Sequence, residues 1–384
     1  MYEESQVPLQ HSAPPYADQP PPYSPDIAAS PAAMEEPVKS HPKWNPKYWS
    51  TKVKIFAGAA VAAIIVAVIC GAYFGVKNNA YPDYKKLNYS LKDTYGGSDF
   101  FDNFNFFSDA DPTNGFVQYV DSAGAEWLNL TYASSSSAVM KVDTTSDVDT
   151  SNGRRSVRIT SKNQYDDGLF IFDIVHTPYG CGTWPALWLS DPDNWPENGE
   201  IDMMEGVNQI ANSKVQSTLH TTNHCKMNVK RKETGNVLAK NCWNETNSNA
   251  GCGVKGGSNT MGKGFNANGG GIYALEMRHE GIRIWFFGRD EVPDDITNGT
   301  APDPSTWGEA MADFPSTNCD MGSHFRNQSI IANIALCGDW AGSEAVYSDQ
   351  DSCPGSCKTY VQQNPDAFTN AYFEFKSFQV YQAS

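Results

Sequence analysis

The chain has 384 residues, 40% apolar and 12% aromatic, enough for one large core or two modest ones. Its formal charge is −16; Met1–Lys54 holds five Lys against six Asp/Glu, so −15 falls on the remainder. That surplus of acids excludes a nucleic-acid partner and points to a neutral one.

Residues 1–54 come first, a tail rich in Pro, Ser and Ala with no helical or strand period, expected to be disordered and cytosolic. Pro20-Pro21-Pro22-Tyr23 has the P-P-x-Y form that WW domains bind as a polyproline helix. A plain solvated tail is the equal alternative. Residues 55–76, Ile55 to Val76, form an uncharged run bounded by Lys54 and Lys77, long enough to cross a bilayer. A cleaved signal peptide would start the chain and have a shorter apolar centre, so the run reads as a transmembrane signal-anchor.

Lysines on the two sides of the span do not decide its orientation. The N-x-[ST] acceptors do: Asn88, Asn129, Asn244, Asn298 and Asn327 all follow it, as do eight of the nine cysteines. The expected topology is therefore a type II single-pass membrane protein with its C-terminal part extracellular or lumenal. Cys181, Cys225, Cys242, Cys252, Cys319, Cys337, Cys353 and Cys357 suggest up to four disulfides, their pairing left open. Zinc is the rival reading, but no C-x2-C pair is present. Cys70, inside the span, reads as a small apolar residue.

Residues 77–96 read as a polar stalk with Tyr-Pro and Gly-Gly breaks. The texture then changes to short β-branched and aromatic runs separated by Gly, Pro, Asn and Asp: Ser156–Asn163, Gly168–Val175, Gly271–Gly288, Ser329–Cys337 and Ala371–Gln382. Gly271–Gly288 reads as a hairpin turning near Glu280-Gly281. In the last run strict alternation sets Tyr372, Glu374, Lys376 and Phe378 against Phe373, Phe375, Ser377 and Gln379. An all-β sandwich over 97–384 is the predicted architecture.

The segment Asn198–Gly206, NGEIDMMEG, holds Glu200, Asp202 and Glu205 at offsets zero, two and five in an apolar run. A regular strand puts Glu200 and Asp202 on one face and Glu205 on the other. One extra residue, a β-bulge at Met203-Met204, returns Glu205 to the first face. A carboxyl separation of about 5–5.5 Å would then suit a retaining glycosidase, with one carboxylate as nucleophile and the other as acid and base. Spacing does not say which glutamate has which role. Calcium binding is the strongest competitor, yet one strand encloses an ion poorly. A helical zinc site lacks its histidine pair, and solvated acids do not fit a buried strand.

The flanks favour chemistry. Trp184, Trp188 and Trp195 lie close upstream, and indole faces suit sugar rings. Downstream, Val215–His224 reads as the neighbouring strand with His220 in its middle, able to donate to a sugar hydroxyl or a glutamate. His224 reads as structural.

Gly180–Asn208, with W-P-A-x-W before E-I-D-x-x-E, resembles glycoside hydrolase family 16, specifically fungal endo-1,3(4)-β-glucanases of the laminarinase type. Phe100–Val120 and Ala332–Gly342 extend the likeness. The resemblance implies a β-jelly roll of two curved antiparallel sheets with glucan on the concave face. It implies Glu200 as nucleophile, Asp202 as its helper and Glu205 as general acid/base. Trp184, Trp188 and His220, and by a weaker match Asn114, Trp285 and Trp340, are implied to line the cleft.

The expectation is a retaining endo-β-glucanase acting on β-1,3 or mixed β-1,3/1,4 glucan at the cell surface or wall. No cofactor or catalytic metal is expected, a structural Ca²⁺ is allowed, and a monomer is expected. A glucan transglycosylase of the same fold is one alternative. A non-catalytic glucan-binding receptor is the other.

Overall fold

The computed structural model describes residues 44–77, 80–146, 149–208, 214–299 and 301–384. The Pro20–Tyr23 motif and most of the tail lie outside them. Thr51–Lys77 is one α-helix of 27 residues, about 40 Å long at the usual rise per residue. Its apolar part is long enough to cross a membrane.

Two eight-stranded sheets hold most of the alternating segments. The first runs, edge to edge, Asn236–Val237, Cys252–Lys255, Gln216–His220, Glu200–Glu205, Thr183–Ser190, Gln328–Leu336, Arg158–Tyr165 and Phe104–Phe106. The second runs Ala312–Pro315, Gly281–Gly288, Gly271–Arg278, Gly168–His176, Tyr372–Ala383, Ala138–Lys141 and Thr131–Ala133. Tyr89–Gly96 also pairs with Tyr372–Ala383. Alternate side chains fill the space between the sheets. Ile159, Leu187, Leu189, Ile201, Leu219, Ile330 and Ile334 come from the first, and Phe170, Phe172, Tyr273, Leu275 and Ile284 from the second. All are almost wholly buried.

The predicted hairpin pairs Arg278 with Gly281, so its turn holds His279 and Glu280. Two expectations are corrected. In Tyr372–Ala383 the register shifts around Phe375, so alternation fails and Phe375 and Phe378 both enter the core, 4.8 Å apart. Residues 77–96 are also no free stalk. Tyr89–Gly96 is a strand of the second sheet with Tyr89 and Tyr95 buried, so the folded domain starts before residue 97.

The segment before that strand straps the outer face of the second sheet. Leu87 packs on a separate apolar layer of Tyr89, Leu169, Ile171, Ala274 and Trp285. Tyr84 lies 4.1 Å from the Arg283 guanidinium, and Lys86 pairs with Asp303 at 2.7 Å. Beneath the strap Glu276 is buried against Arg278 and Arg283 and accepts from the Tyr89 hydroxyl at 2.9 Å. A buried carboxylate persists only with such partners.

Phe378 meets Phe375, Phe172 and Phe100 at 4.8, 4.9 and 5.1 Å. Phe378→Ala is expected to cost about 3–5 kcal/mol in denaturant unfolding. A cost under about 1 kcal/mol would mean that this ring does not close the core.

Candidate active site

The acidic strand is built around one irregularity. Against Thr183–Ser190, Asp202 faces Trp188 and Met204 faces Leu187, two residues matched to one step. The strand on its other side shows the same shift, with Asp202 at Thr218 and Glu205 at Gln216. Glu200 opposes Ser190 and Glu205 opposes Ala186, four residues apart, so Glu205 behaves as if at offset four. Met203 and Met204 are both buried, and the Ser217 hydroxyl donates to the Met203 carbonyl at 2.7 Å. All three acids therefore point to the face of the first sheet turned away from the core.

An indole N–H reaches one glutamate: Trp184 Nε1 donates to Glu205 Oε1 at 2.7 Å. Burial, then the Asp202 charge, pushes the Glu200 carboxyl up to about 8 against the pull of His220, Arg158 and Trp195. Burial and Asp202 likewise push Glu205 up to about 8, with Trp184 and His220 opposing and the Glu200 charge adding. The site therefore holds on to a proton near neutrality, which general acid catalysis needs.

His220 ends its strand rather than centring it, directly opposite Glu200. Its Nε2 lies 3.2 Å from Asp202 Oδ2, and its Nδ1 lies 2.9 Å from Asn249 Oδ1. Burial disfavours the charged ring, but the Asp202 hydrogen bond and charge, helped by Glu200 and Glu205, raise it to about 10. With an oxygen at each nitrogen, the imidazolium donates both ways. Among the described residues, Glu200, Asp202 and His220 are the one His/Cys/Asp/Glu group able to hold a cation, their ligand atoms within 4.8 Å of one another. An ion there would have to displace the imidazole proton.

The floor beside the acids contains residues that the sequence reading missed. Arg158 stacks between Phe107 at 4.5 Å and Trp188 at 5.1 Å, and its charge acts on Glu200. Asn333 accepts from Trp188 Nε1 at 2.7 Å and donates to the Tyr119 hydroxyl at 3.3 Å. Both are polar interruptions of apolar strands, Arg158 between Val157 and Ile159 and Asn333 between Ala332 and Ile334, which is the signal that marks them.

The weaker candidates divide. Trp340 meets Trp184 edge-on at 5.8 Å, and Asn114 donates to both oxygens of the neighbouring Asp339, so these two gather near the Glu205 end. Trp285 does not join them. It is buried on the outer face of the second sheet, packed on Trp307 at 5.5 Å and donating to the Gly308 carbonyl. Strand alternation in the second sheet aims it away from the acids.

A model of the XgeA-like catalytic domain of glycoside hydrolase family 16 matches residues 104–381. The chain belongs to glycoside hydrolase family 16. It is 49% identical to a probable glycosidase of Schizosaccharomyces pombe over 79% of this chain and 71% of that protein. It is 40% identical to the endo-1,3(4)-beta-glucanase xgeA of Emericella nidulans over 77% of this chain and 47% of that protein. The match thus spans under half the length of the latter. Laminarinase 16A of Phanerochaete chrysosporium, solved with two β-glucans in its donor and acceptor sites, is similar at a TM-score of 0.74 and 46% identity, over 77% of this chain and all of that one. A family 16 elongating β-1,3-glucosyltransferase is similar at 0.71 and 40%, with the same coverage. The sandwich is thus a glycoside hydrolase jelly roll of the family 16 type.

Asp202→Asn removes the main support of the His220 imidazolium while leaving its burial. Nitrogen NMR of His220 in that variant is expected to show a pKa well below that of the wild type measured alongside, because the Asp202 hydrogen bond and charge are what raise it. An unchanged titration would refute the assigned pair.

Proposed function

We propose that the outer domain hydrolyses β-1,3- or mixed β-1,3/1,4-glucan with retention of configuration. The bulge carries this reading, because it brings Glu200 and Glu205 to one face beside Trp184 and Trp188. Glu200 attacks the anomeric carbon to form a glycosyl-enzyme while Glu205 protonates the departing oxygen; Glu205 then takes a proton from a water that attacks the anomeric carbon and displaces the Glu200 carboxylate. The His220 and Arg158 charges favour the ionised, attacking form of Glu200, while the Asp202 charge helps Glu205 retain its proton. Trp184 positions Glu205, and Trp188 over Arg158 offers an indole face to the sugar. A purely binding role would not need two carboxyls held at this desolvation cost.

The helix Thr51–Lys77 serves as a membrane anchor, with the sandwich outside the cytosol. Four disulfides among the eight cysteines after the helix support that side. Passing the glycosyl group to a second glucan is the other reading, favoured by the likeness to the elongating glucosyltransferase. Product sizing from laminarin oligosaccharides separates the two, since only transfer yields chains longer than the substrate.

Glu205→Gln is expected to fold normally and lose roughly 10²–10⁴-fold in laminarin turnover. Glu200→Gly is expected to be inactive until azide is added, then to release a glycosyl azide of inverted configuration. Near-wild-type turnover by either variant would remove the assignment.

A further inference from the structure

The two most exposed aromatic side chains among the described residues from 80 to 384 flank a single sequon. Trp127 is 83% exposed and Tyr132 50%, and Asn129-Leu130-Thr131 lies between them. Isolated exposed aromatics are common, but a pair beside an open strand is a liability. Thr131–Ala133 is the end strand of the second sheet, paired on one side only.

Local backbone chemistry holds the asparagine out. Helix Ser122–Trp127 closes with the Leu130 N–H on the Ala125 carbonyl at 2.8 Å and the Asn129 N–H on the Glu126 carbonyl at 2.9 Å. Buried Leu130 and Ala125 complete this helix-ending motif. Its left-handed position, at φ 51°, usually belongs to glycine; here it is Asn129, with its side chain exposed. Two residues along the chain, Cα atoms lie within about 7 Å, close to the width of one sugar ring, so a sugar on Asn129 reaches the Trp127 indole.

We propose that Asn129 carries an N-linked glycan whose first N-acetylglucosamine lies over Trp127 and whose stem covers the open Thr131–Ala133 edge. The Asn129 amide nitrogen bonds to the sugar's anomeric carbon, the lipid-pyrophosphate carrier departs, and the amide proton leaves with it. The apolar C–H face of the sugar takes the place of water on the indole, and its bulk bars a second copy from pairing at that edge. This inference rests on the outward topology proposed above and not on the catalytic reading.

The test uses the full chain made in a fungal secretory host and purified in detergent. Glycopeptide mass spectrometry is expected to find Asn129 occupied. Hydroxyl-radical footprinting is expected to show Trp127 oxidised severalfold faster after enzymatic glycan removal. Asn129→Gln is expected to self-associate in light scattering, and adding Trp127→Ser and Tyr132→Ser is expected to restore the monomer. A bare Asn129 with other sequons occupied overturns the proposal and leaves the topology standing; no glycan anywhere overturns both. Equal Trp127 oxidation with and without the glycan also overturns it, as does an Asn129→Gln chain that stays monomeric.

Discussion

One surplus residue in one strand is the constraint on which the site depends. A regular pleat would drive Glu205 into the core beside Ile201, where a carboxyl has no partner and costs several kcal/mol. The shift at Met203-Met204 instead buries two methionines inward and sends three carboxyls outward together. Three acids so close repel one another. The neighbours answer that repulsion with His220 against Asp202, Arg158 acting on Glu200, and the Trp184 indole donating to Glu205. The raised glutamates and the raised histidine express one balance: desolvation works against charge everywhere, and the ion pair wins at His220.

The two sheets divide the work between their outer faces. That of the first sheet carries acids, indoles, Arg158 and Asn333, a mixture suited to a polar ring with apolar C–H faces. That of the second sheet is closed by the strap before Tyr89 and by the segment bearing Ile296 and Trp307. The strap, from Tyr84 to Leu87, thus lies on the face of the sandwich opposite the acids.

Disulfides hold the loops that complete the cleft. Cys337–Cys357 and Cys181–Cys353 pin the segment that sets Trp340 against Trp184. Cys242–Cys252 closes the short loop bearing Asn249, which accepts from His220. Catalytic loops are precise only when such supports limit their motion.

The sequence alone determined the fold class and family, because alternating runs and the E-I-D-x-x-E segment are local patterns. Period-two alternation between sheets needs no long-range knowledge, and the bulge follows from asking how offsets zero, two and five can share a face. The tertiary structure decided what depends on residues distant in the chain. Which cysteines pair, that Arg158 and Asn333 lie under the acids, and that Asn249 holds His220 are set by strand order, which no local period encodes. Trp285 shows the same limit. An indole on a strand looks alike on either sheet, and only the sheet order reveals which face it joins. Tyr89–Gly96 was hidden for a related reason, since a polar, half-exposed edge segment becomes a strand only when its partner, nearly three hundred residues later, supplies the hydrogen bonds.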